Sequence, residues 1–414
     1  MHRRAFLRSA AALSAGAAGC AEQAAPPGRV VVPFWFMYGG RNRATLETLV
    51  QRFNRSQGDV WLRAVFQGDY FEGLAKLRTA LAAGAAPALS HVVGEIVPYL
   101  AEAGVLEGLD DYPGARALPL HPALGQAGSF RGGAGRPLVV VPFNRSTPIA
   151  YVNGRLYGAK SAPATWAELE QTAHALTAPG RFGFGCPIDW WYWAALVGQA
   201  GGEVVEPDGR VTLGGAAGAR ALAFWQKLVA SGVMKQPPGR DYNAWEQLSQ
   251  DFLAGRVAMI WSSTAFVRYL EETADFPIRA LPLPRGVRAA VPTGGTHFVL
   301  LKSAPDELKL AAWRFVRFVL GADAMAFWSS ETGYLPVTTD AALGLEASGF
   351  YAKHPNYRVA LEQLGVAEPW PWHKSLFRIQ RELVQPALEA AVLERLDPAA
   401  TLAKARRAAE ASAL

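Results

Sequence analysis

The spacing of hydrophobic and polar positions changes period several times along this chain. After a Pro/Ala/Gly-rich stretch from Ala24 to Gly28, the run Val30–Phe36 is apolar, β-branched and aromatic, the pattern of a buried strand. From Thr45 to Asn54 the apolar residues Leu46, Leu49, Val50 and Phe53 fall at helical spacing. The alternation continues with a strand at Val60–Phe66, a helix over about Tyr70–Ala83, a strand at Ala88–Val93 and a helix at Ile96–Ala103. Strand followed by helix, three times over, predicts an α/β unit with a parallel sheet.

The second half is richer in helix. The pattern predicts helices at Thr165–Leu176, where Thr165 and Glu168 are spaced as a capping box, and at Asp189–Ala200, Gly215–Ser231 and Asp241–Ala254. Short strands fall at Phe182–Gly185 and Val257–Trp261. A strand at Thr296–Leu301 and a helix at Asp306–Val319 then resume the style of the first half, and the tail from about Arg378 is helical. A chain that builds one α/β lobe, then a second, and returns needs several crossovers, expected near Phe143–Ser146, Pro292 and Gly321–Met325. The expected division is an N-lobe of residues 30–143 plus 292–321 and a C-lobe of residues 144–291 plus 322–414. The cleft between two hinged lobes is a natural ligand site. The length of 414 residues agrees, being too great for one ordinary core.

Composition narrows the partners. Only 18% of residues are charged and half are apolar, which excludes a disordered chain. Of the net charge of +6, three positive charges (Arg3, Arg4, Arg8) stand at the N-terminus, and the rest are scattered. With no basic run interleaved with aromatics, a nucleic-acid partner is not expected. Met1–Arg8 resembles a twin-arginine export motif, Ser9–Ala18 is small and apolar, and Ala17-Ala18-Gly19-Cys20 resembles a lipoprotein cleavage site. Residues 1–20 are therefore read as an export signal ending at a lipidation candidate, Cys20, with residues 21–29 as a tether. The expected location is the periplasm or the outer face of the cytoplasmic membrane, with membrane contact only through a lipid. Cys186 is the one other cysteine, so a lipidated Cys20 leaves no disulfide.

Catalytic signatures are missing. There is no G-x-S-x-G elbow, Ser-x-x-Lys, P-loop or H-E-x-x-H, and Gly183-Phe-Gly185 lacks the third glycine of a dinucleotide fold. Asp110-Asp111 and Glu271-Glu272 read as solvated surface charge. The chain is accordingly read as a non-enzyme with no cofactor and no metal. Its unusual feature is aromatic: four residues stand together in Asp189-Trp190-Trp191-Tyr192-Trp193. On a helix Trp190 and Trp193 share a face, where paired indoles either grip the C–H surface of a polyol or pack in a core.

Several stretches together resemble the extracellular solute-binding proteins of family 1, which serve ABC importers. They are Pro33-Phe-Trp35, Arg52-Phe-Asn-Arg-Ser56, Gly68-Asp-Tyr70, Ala86-Pro-Ala88 with Glu95, and Phe143-Asn-Arg-Ser-Thr-Pro148. They continue through Trp190-x-x-Trp193, Trp261-Ser-Ser263, Gly294-Gly295, Thr332-Gly-Tyr-Leu-Pro336, Gly349-Phe-Tyr351 and Arg381. The nearest likeness is to the branch that binds glycerol 3-phosphate and glycerophosphodiesters. The resemblance implies a type II periplasmic-binding-protein fold, a monomer whose two α/β lobes are joined by a multi-crossover hinge and close on the ligand. Its partners would be a small phosphorylated polyol or sugar and the importer's permease. It places ligand contacts at Tyr70, Glu95 and Ser146, at Trp190 and Trp193, and at Ser263, Gly295, Tyr334 and Arg381. Arg381 suits a phosphate, the hydroxyls add donors, Gly295 admits close backbone approach, and the two indoles would enclose the glycerol carbons. The extra carboxylate Asp189 favours a singly charged phosphodiester over a phosphomonoester. A neutral oligosaccharide carrier of the same family, and a secreted phosphodiesterase, are the alternatives.

Overall fold

The computed structural model describes residues 25–125, 130–131, 136–237 and 241–411, so residues 1–20, read above as an export signal ending at Cys20, lie outside the described residues. The apolar run at the start forms β1 (Val30–Phe36), which pairs in parallel with β2 (Val60–Phe66) along its whole length and with β3 (Leu89–Val93) on its other edge. Between them, α1 (Gly40–Ser56) buries Leu46, Leu49, Val50 and Phe53 against the sheet. The next helix, α2 (Tyr70–Ala82), starts where Asp69 accepts the N–H groups of Phe71 and Glu72, each at 2.8 Å. A short α3 (Val97–Glu102) follows β3.

The junction between lobes is a single residue. β4 (Val141–Ser146) and β5 (Pro148–Asn153) are separated by Thr147 alone, and every residue of both strands is buried. The second sheet adds β6 (Phe184–Gly185), β7 (Met234–Lys235), β8 (Met259–Ser263) and β9 (Ile278–Leu281), in the order β9-β5-β8-β6-β7. The chain then returns through β10 (Gly294–Leu300), completing a first sheet of order β2-β1-β3-β10-β4. β10 runs antiparallel to both β3 and β4, so the first sheet is mixed where the pattern predicts parallel. The reason is topological: β1–β4 arrive at the cleft, whereas β10 departs from it, having been delivered there by the second lobe.

Helices cover both faces of the sheets. α4 (Trp166–Leu176), α5 (Trp190–Gln199), α6 (Gly215–Ala230), α7 (Asp241–Leu253) and α8 (Val267–Thr273) belong to the second lobe, and α9 (Asp306–Val319) to the first. Along β5, Ala150 and Val152 join one apolar cluster while Ile149 and Tyr151 join another. Period-2 alternation thus feeds two cores, and each runs from lobe to lobe through the hinge strands.

The third crossover lies later than the sequence suggests. α10 (Ala322–Thr332) and α11 (Thr339–Ala347) stay with the first lobe. Trp328 stacks on Phe143 at 4.7 Å and faces Tyr38 at 5.9 Å, the Leu335 N–H donates to the Arg145 carbonyl, and the Thr339 N–H donates to that of Pro119. The second lobe takes over at α12 (Pro355–Gln363), where Asn356 and Gln363 accept the N–H groups of Ala280 and Leu283 at 2.7 and 2.9 Å. α13 (Gln385–Leu393) and α14 (Pro398–Ala411) pack on α6. The expected boundary at residue 321 therefore moves to between Ala347 and Pro355, because α10 carries an aromatic side chain that completes the first core. None of the helices, among the described residues, is long and apolar enough to cross a membrane.

Candidate functional site

A cleft of about 540 Å³ lies between the two sheets. Strand ends supply its floor, and helix starts supply its walls, as expected for α/β lobes. The first lobe contributes a hydroxyl-rich wall. Asn144, fully buried at the end of β4, donates from Nδ2 to the Tyr70 hydroxyl at 3.2 Å. Its Oδ1 accepts the Thr296 N–H at 2.9 Å and the Thr296 hydroxyl as well. Tyr334 stacks flat on Trp328, with ring centroids 5.7 Å apart and planes 5° from parallel, and is hydrogen-bonded to Tyr70, Asn144 and Asn42. Burial, with Tyr70 beside it, pushes the Tyr334 phenol well above its ordinary range, so it stays a neutral donor.

The hinge crossing supplies two glycines. Gly295 has φ of +102°, and a Cβ there would sit 1.7 Å from the Asn144 carbonyl oxygen. At Gly294 a Cβ would sit 2.8 Å from the Trp191 ring and 3.3 Å from the Ser146 hydroxyl. The indole edge of Trp191 and the Ser146 hydroxyl therefore meet over a bare backbone.

The second lobe contributes an aromatic wall built on the N-terminus of α5. Asp189 caps that helix by accepting the Trp191 N–H at 2.8 Å. Trp190 lines the cleft with its ring 4.4 Å from that of Trp370. Trp191 also lines it, stacked on Trp245 at 5.5 Å and 16°, and its buried indole N–H has no partner. Ser263 ends β8 at the same cleft, with its hydroxyl accepting the Ala265 N–H at 3.2 Å.

Arg381 lies in a π-helical turn, Ile379–Val384, that reaches the cleft from the C-terminal segment. Its guanidinium carbon lies 3.8 Å over the Phe71 ring, a cation–π seat that fixes the charge at the mouth of α2. Beside it Gln380 is buried, and its amide nitrogen has no partner.

Of the nine residues singled out by sequence, the structure brings eight to this one cleft: Tyr70, Glu95, Ser146, Trp190, Ser263, Gly295, Tyr334 and Arg381. Trp193 is the exception. It is fully buried, and its indole N–H donates to the Gly218 carbonyl at 3.3 Å, against α6. The shared-face argument fails because α5 meets the cleft end-on. Residues of the first turn splay around a helix end, so Trp190 and Trp191 face the cleft while Trp193, one turn inward, meets the neighbouring helix. Sequence reasoning also passed over Asn144, Gln380 and Arg145. None of the three carries a local signal that distinguishes it from a surface polar residue.

Arg145 is the least expected of these. It is fully buried beneath the cleft, with Nη2 donating to the Thr293 hydroxyl at 2.7 Å, Nη1 3.3 Å from His297 Nε2, and Nε without a partner. Burial pulls it down to about 10. Glu95, half-buried in the turn after β3, is pushed up to about 7 by burial, only partly offset by its own backbone N–H and by Arg145, while Asp189 opposes its ionisation. Histidine, cysteine and lysine are absent from the lining among the described residues. Among the described residues the lining presents hydroxyl, amide, indole and guanidinium groups to the cleft.

Comparison with known proteins fits this geometry. The profile of the bacterial extracellular solute-binding proteins matches residues 48–359. The chain is 24% identical over 372 residues to the sn-glycerol-3-phosphate-binding periplasmic protein of Salmonella typhimurium, covering 83% of each chain. With the Yersinia pestis counterpart it shares 24% over 405 residues, covering 91% of this chain and 89% of the other. Among solved structures it superposes on Mycobacterium tuberculosis UgpB in complex with glycerophosphocholine with a TM-score of 0.80, at 24% identity, covering 93% of this chain and 98% of that one. It also superposes on the acarbose-binding GacH receptor of Streptomyces glaucescens with a TM-score of 0.80, at 20% identity, covering 91% and 97%. The chain belongs to the bacterial extracellular solute-binding proteins, the substrate-binding components of ABC importers.

Proposed function

We propose that this protein captures a glycerophosphodiester such as glycerophosphocholine, or glycerol 3-phosphate, outside the cytoplasmic membrane and hands it to the permease of an ABC importer. The observation that carries this reading is Arg381, a guanidinium held against Phe71 in a cleft that also presents the Tyr70, Tyr334 and Ser146 hydroxyls. A planar cation fixed in orientation suits a phosphate, which it meets with charge-assisted bonds about twice as strong as neutral ones. Trp190 and Trp191 would cover the glycerol carbons, Trp191 taking the part first expected of Trp193. Ser263 and Gly295 complete the set, one as a hydroxyl and the other as exposed backbone. Closure follows from differential affinity: a ligand that touches both walls stabilises the closed state. Micromolar binding corresponds to about −8 kcal/mol, within reach of one arginine–phosphate pair and several neutral bonds. Lipidation at Cys20 would hold the protein at the membrane surface.

A neutral oligosaccharide is the second reading, favoured by the indole wall of Trp190, Trp191 and Trp245. Structural relatives include a cyclic α-maltosyl-1,6-maltose binding protein from Arthrobacter globiformis, with a TM-score of 0.77 and 23% identity, covering 93% of this chain and 99% of that one. Isothermal titration with glycerophosphocholine, glycerol 3-phosphate and maltose separates the two. Binding of a phosphate compound that Arg381→Ala weakens by about 2–5 kcal/mol supports the first reading. Binding of maltose alone, or full phosphate affinity in Arg381→Ala, overturns it.

A further inference from the structure

We propose that Gln380 is a second phosphate donor of the cleft: its side-chain amide, left open by the fold next to Arg381, is completed by an anionic oxygen of the ligand. The inference rests on the phosphate reading above and adds to it a contact that favours phosphate over neutral ligands.

The C-terminal segment reaches the cleft as a continuous helical rod with one wide turn in it. A helical turn at Leu376–Arg378 leads into the π-helical turn Ile379–Val384, which leads into α13. Leu376, Ile379 and Val384 are buried in the core, while Arg378 and Glu382 are exposed and paired at 2.9 Å. Phe377, Gln380 and Arg381 line the cleft, at the i, i+3 and i+4 spacing of one helix face. In a regular α-helix residues 380 and 384 would share that face as well. Here Gln380 lines the cleft and Val384 packs in the core, and the extra residue of the π turn parts them. Turns of this kind are rare inside helices and concentrate at functional sites.

Two buried glutamines on this rod are treated differently. Gln385, 4% exposed, accepts the Trp190 N–H at 3.0 Å and donates to the Ile188 carbonyl at 2.6 Å and to Glu389 at 2.9 Å. Gln380 is 3% exposed, and its amide nitrogen has no partner among the described residues. None of the four carboxylates in the lining, Asp69, Glu95, Asp189 and Glu246, serves as its acceptor. An amide withdrawn from water without a bond destabilises the fold, so an open donor in a binding cleft marks a place where the ligand supplies the acceptor.

The neighbourhood says which acceptor. Arg381 follows Gln380 directly, with its guanidinium carbon 3.8 Å over the Phe71 ring, and the Phe377 ring lies 6.1 Å from that same ring. These aromatic contacts hold the cleft-facing side of the rod against α2. The other cations of the lining, Arg41 and Arg268, are held at the rim by Glu272 and Glu331. A phosphate drawn to Arg381 therefore arrives beside the open amide of Gln380. Its non-bridging oxygens are acceptors only and carry charge, which makes the bond to a neutral N–H stronger than one to a sugar hydroxyl.

The test is Gln380→Met, which keeps the length and flexibility of the side chain and removes both polar atoms. Isothermal titration with glycerol 3-phosphate and glycerophosphocholine should show affinity for the tighter of the two reduced by about tenfold to a hundredfold. The melting temperature of the ligand-free variant should stay level or rise, because a buried open donor has been removed. Affinity and stability moving in opposite directions separates a ligand contact from a structural role. Unchanged affinity overturns the inference, and so does a loss of affinity matched by a fall in melting temperature. A second measurement needs only the unaltered fold: with glutamine labelled by nitrogen-15, the Gln380 side-chain amide signals, assigned by their loss in Gln380→Met or Gln380→Glu, should shift when the phosphate ligand saturates the protein. Signals that stay in place overturn the inference. Phosphate binding that Arg381→Ala weakens and Gln380→Met leaves intact overturns this inference alone. If no phosphate compound binds the unaltered protein, the phosphate reading falls and this inference falls with it.

Discussion

The two walls of the cleft start alike and end differently. Each begins with a helix aimed at the ligand space and capped by an aspartate: Asp69 before Tyr70 on the first lobe, Asp189 before Trp190 on the second. On the first wall the side chains bond to one another, with Asn144 joining Tyr70 to β10 and Tyr334 bonded to Tyr70, Asn144 and Asn42. On the second wall the rings stack, yet the Trp191 N–H remains without a partner. The first wall is pre-organised, so a ligand meets donors that need no rearrangement. The second offers area and an open donor. On the proposed function, one lobe would orient the ligand and the other would clamp it.

That division can be broken by substitution. The largest effect is expected inside the second wall's support: Trp193→Ala should cost about 3–5 kcal/mol of stability, read as a fall in melting temperature. Ligand affinity at low temperature should change little, and a selective loss of affinity would put Trp193 back in the site. Gly295→Ala strikes the first wall where it meets the hinge. The strained backbone and the clash with the Asn144 carbonyl should cost about 1–3 kcal/mol and weaken binding along with stability. Trp191→Phe keeps an aromatic ring on Trp245 but removes the N–H together with the pyrrole ring, so affinity should drop by about 1 kcal/mol, or roughly fivefold, with a smaller fall in melting temperature than Trp193→Ala. Unchanged affinity would mean that the open donor never meets the ligand.

The smallest effect belongs to the rim. Arg41 on α1 pairs with Glu272 on α8 and, at 3.6 Å, with Glu331 on α10, while Arg268 meets Glu272 at 2.8 Å and Glu331 at 3.5 Å. This network ties one lobe to the other across the cleft mouth. Its members are partly exposed, so Glu272→Gln should alter affinity by less than about 1 kcal/mol, and high salt should erase the difference. A larger or salt-independent effect would mean that the rim, rather than the walls, controls closure.

Much of this was legible in the chain. β1, β2 and α9 lie where periodicity places them, because β-branched and aromatic runs and helices with one apolar stripe leave strong local patterns. β4 and β5 were not foreseen as strands. Val141–Asn153 mixes polar side chains with apolar ones, and the partners of Asn144 and Arg145 lie far away in sequence. The end of the first lobe was misplaced for a related reason: Trp328 belongs to α10 but fills a hole left by Tyr38 and Phe143, and nothing local to α10 says so.

The sequence by itself determined the α/β alternation, the two-lobed organisation and the family's residue types at eight cleft positions, since these depend on short-range periodicity and on motifs of a few residues. Tertiary structure alone decided the rest. It set Trp191 rather than Trp193 against the ligand space, because helix orientation, and not helical phase, determines what a first turn presents. It also buried Arg145 at the hinge, beside Thr293 and His297 of the returning chain. Solvation and distance across chain crossovers govern that burial, and neither is written in the spacing of residues along the chain.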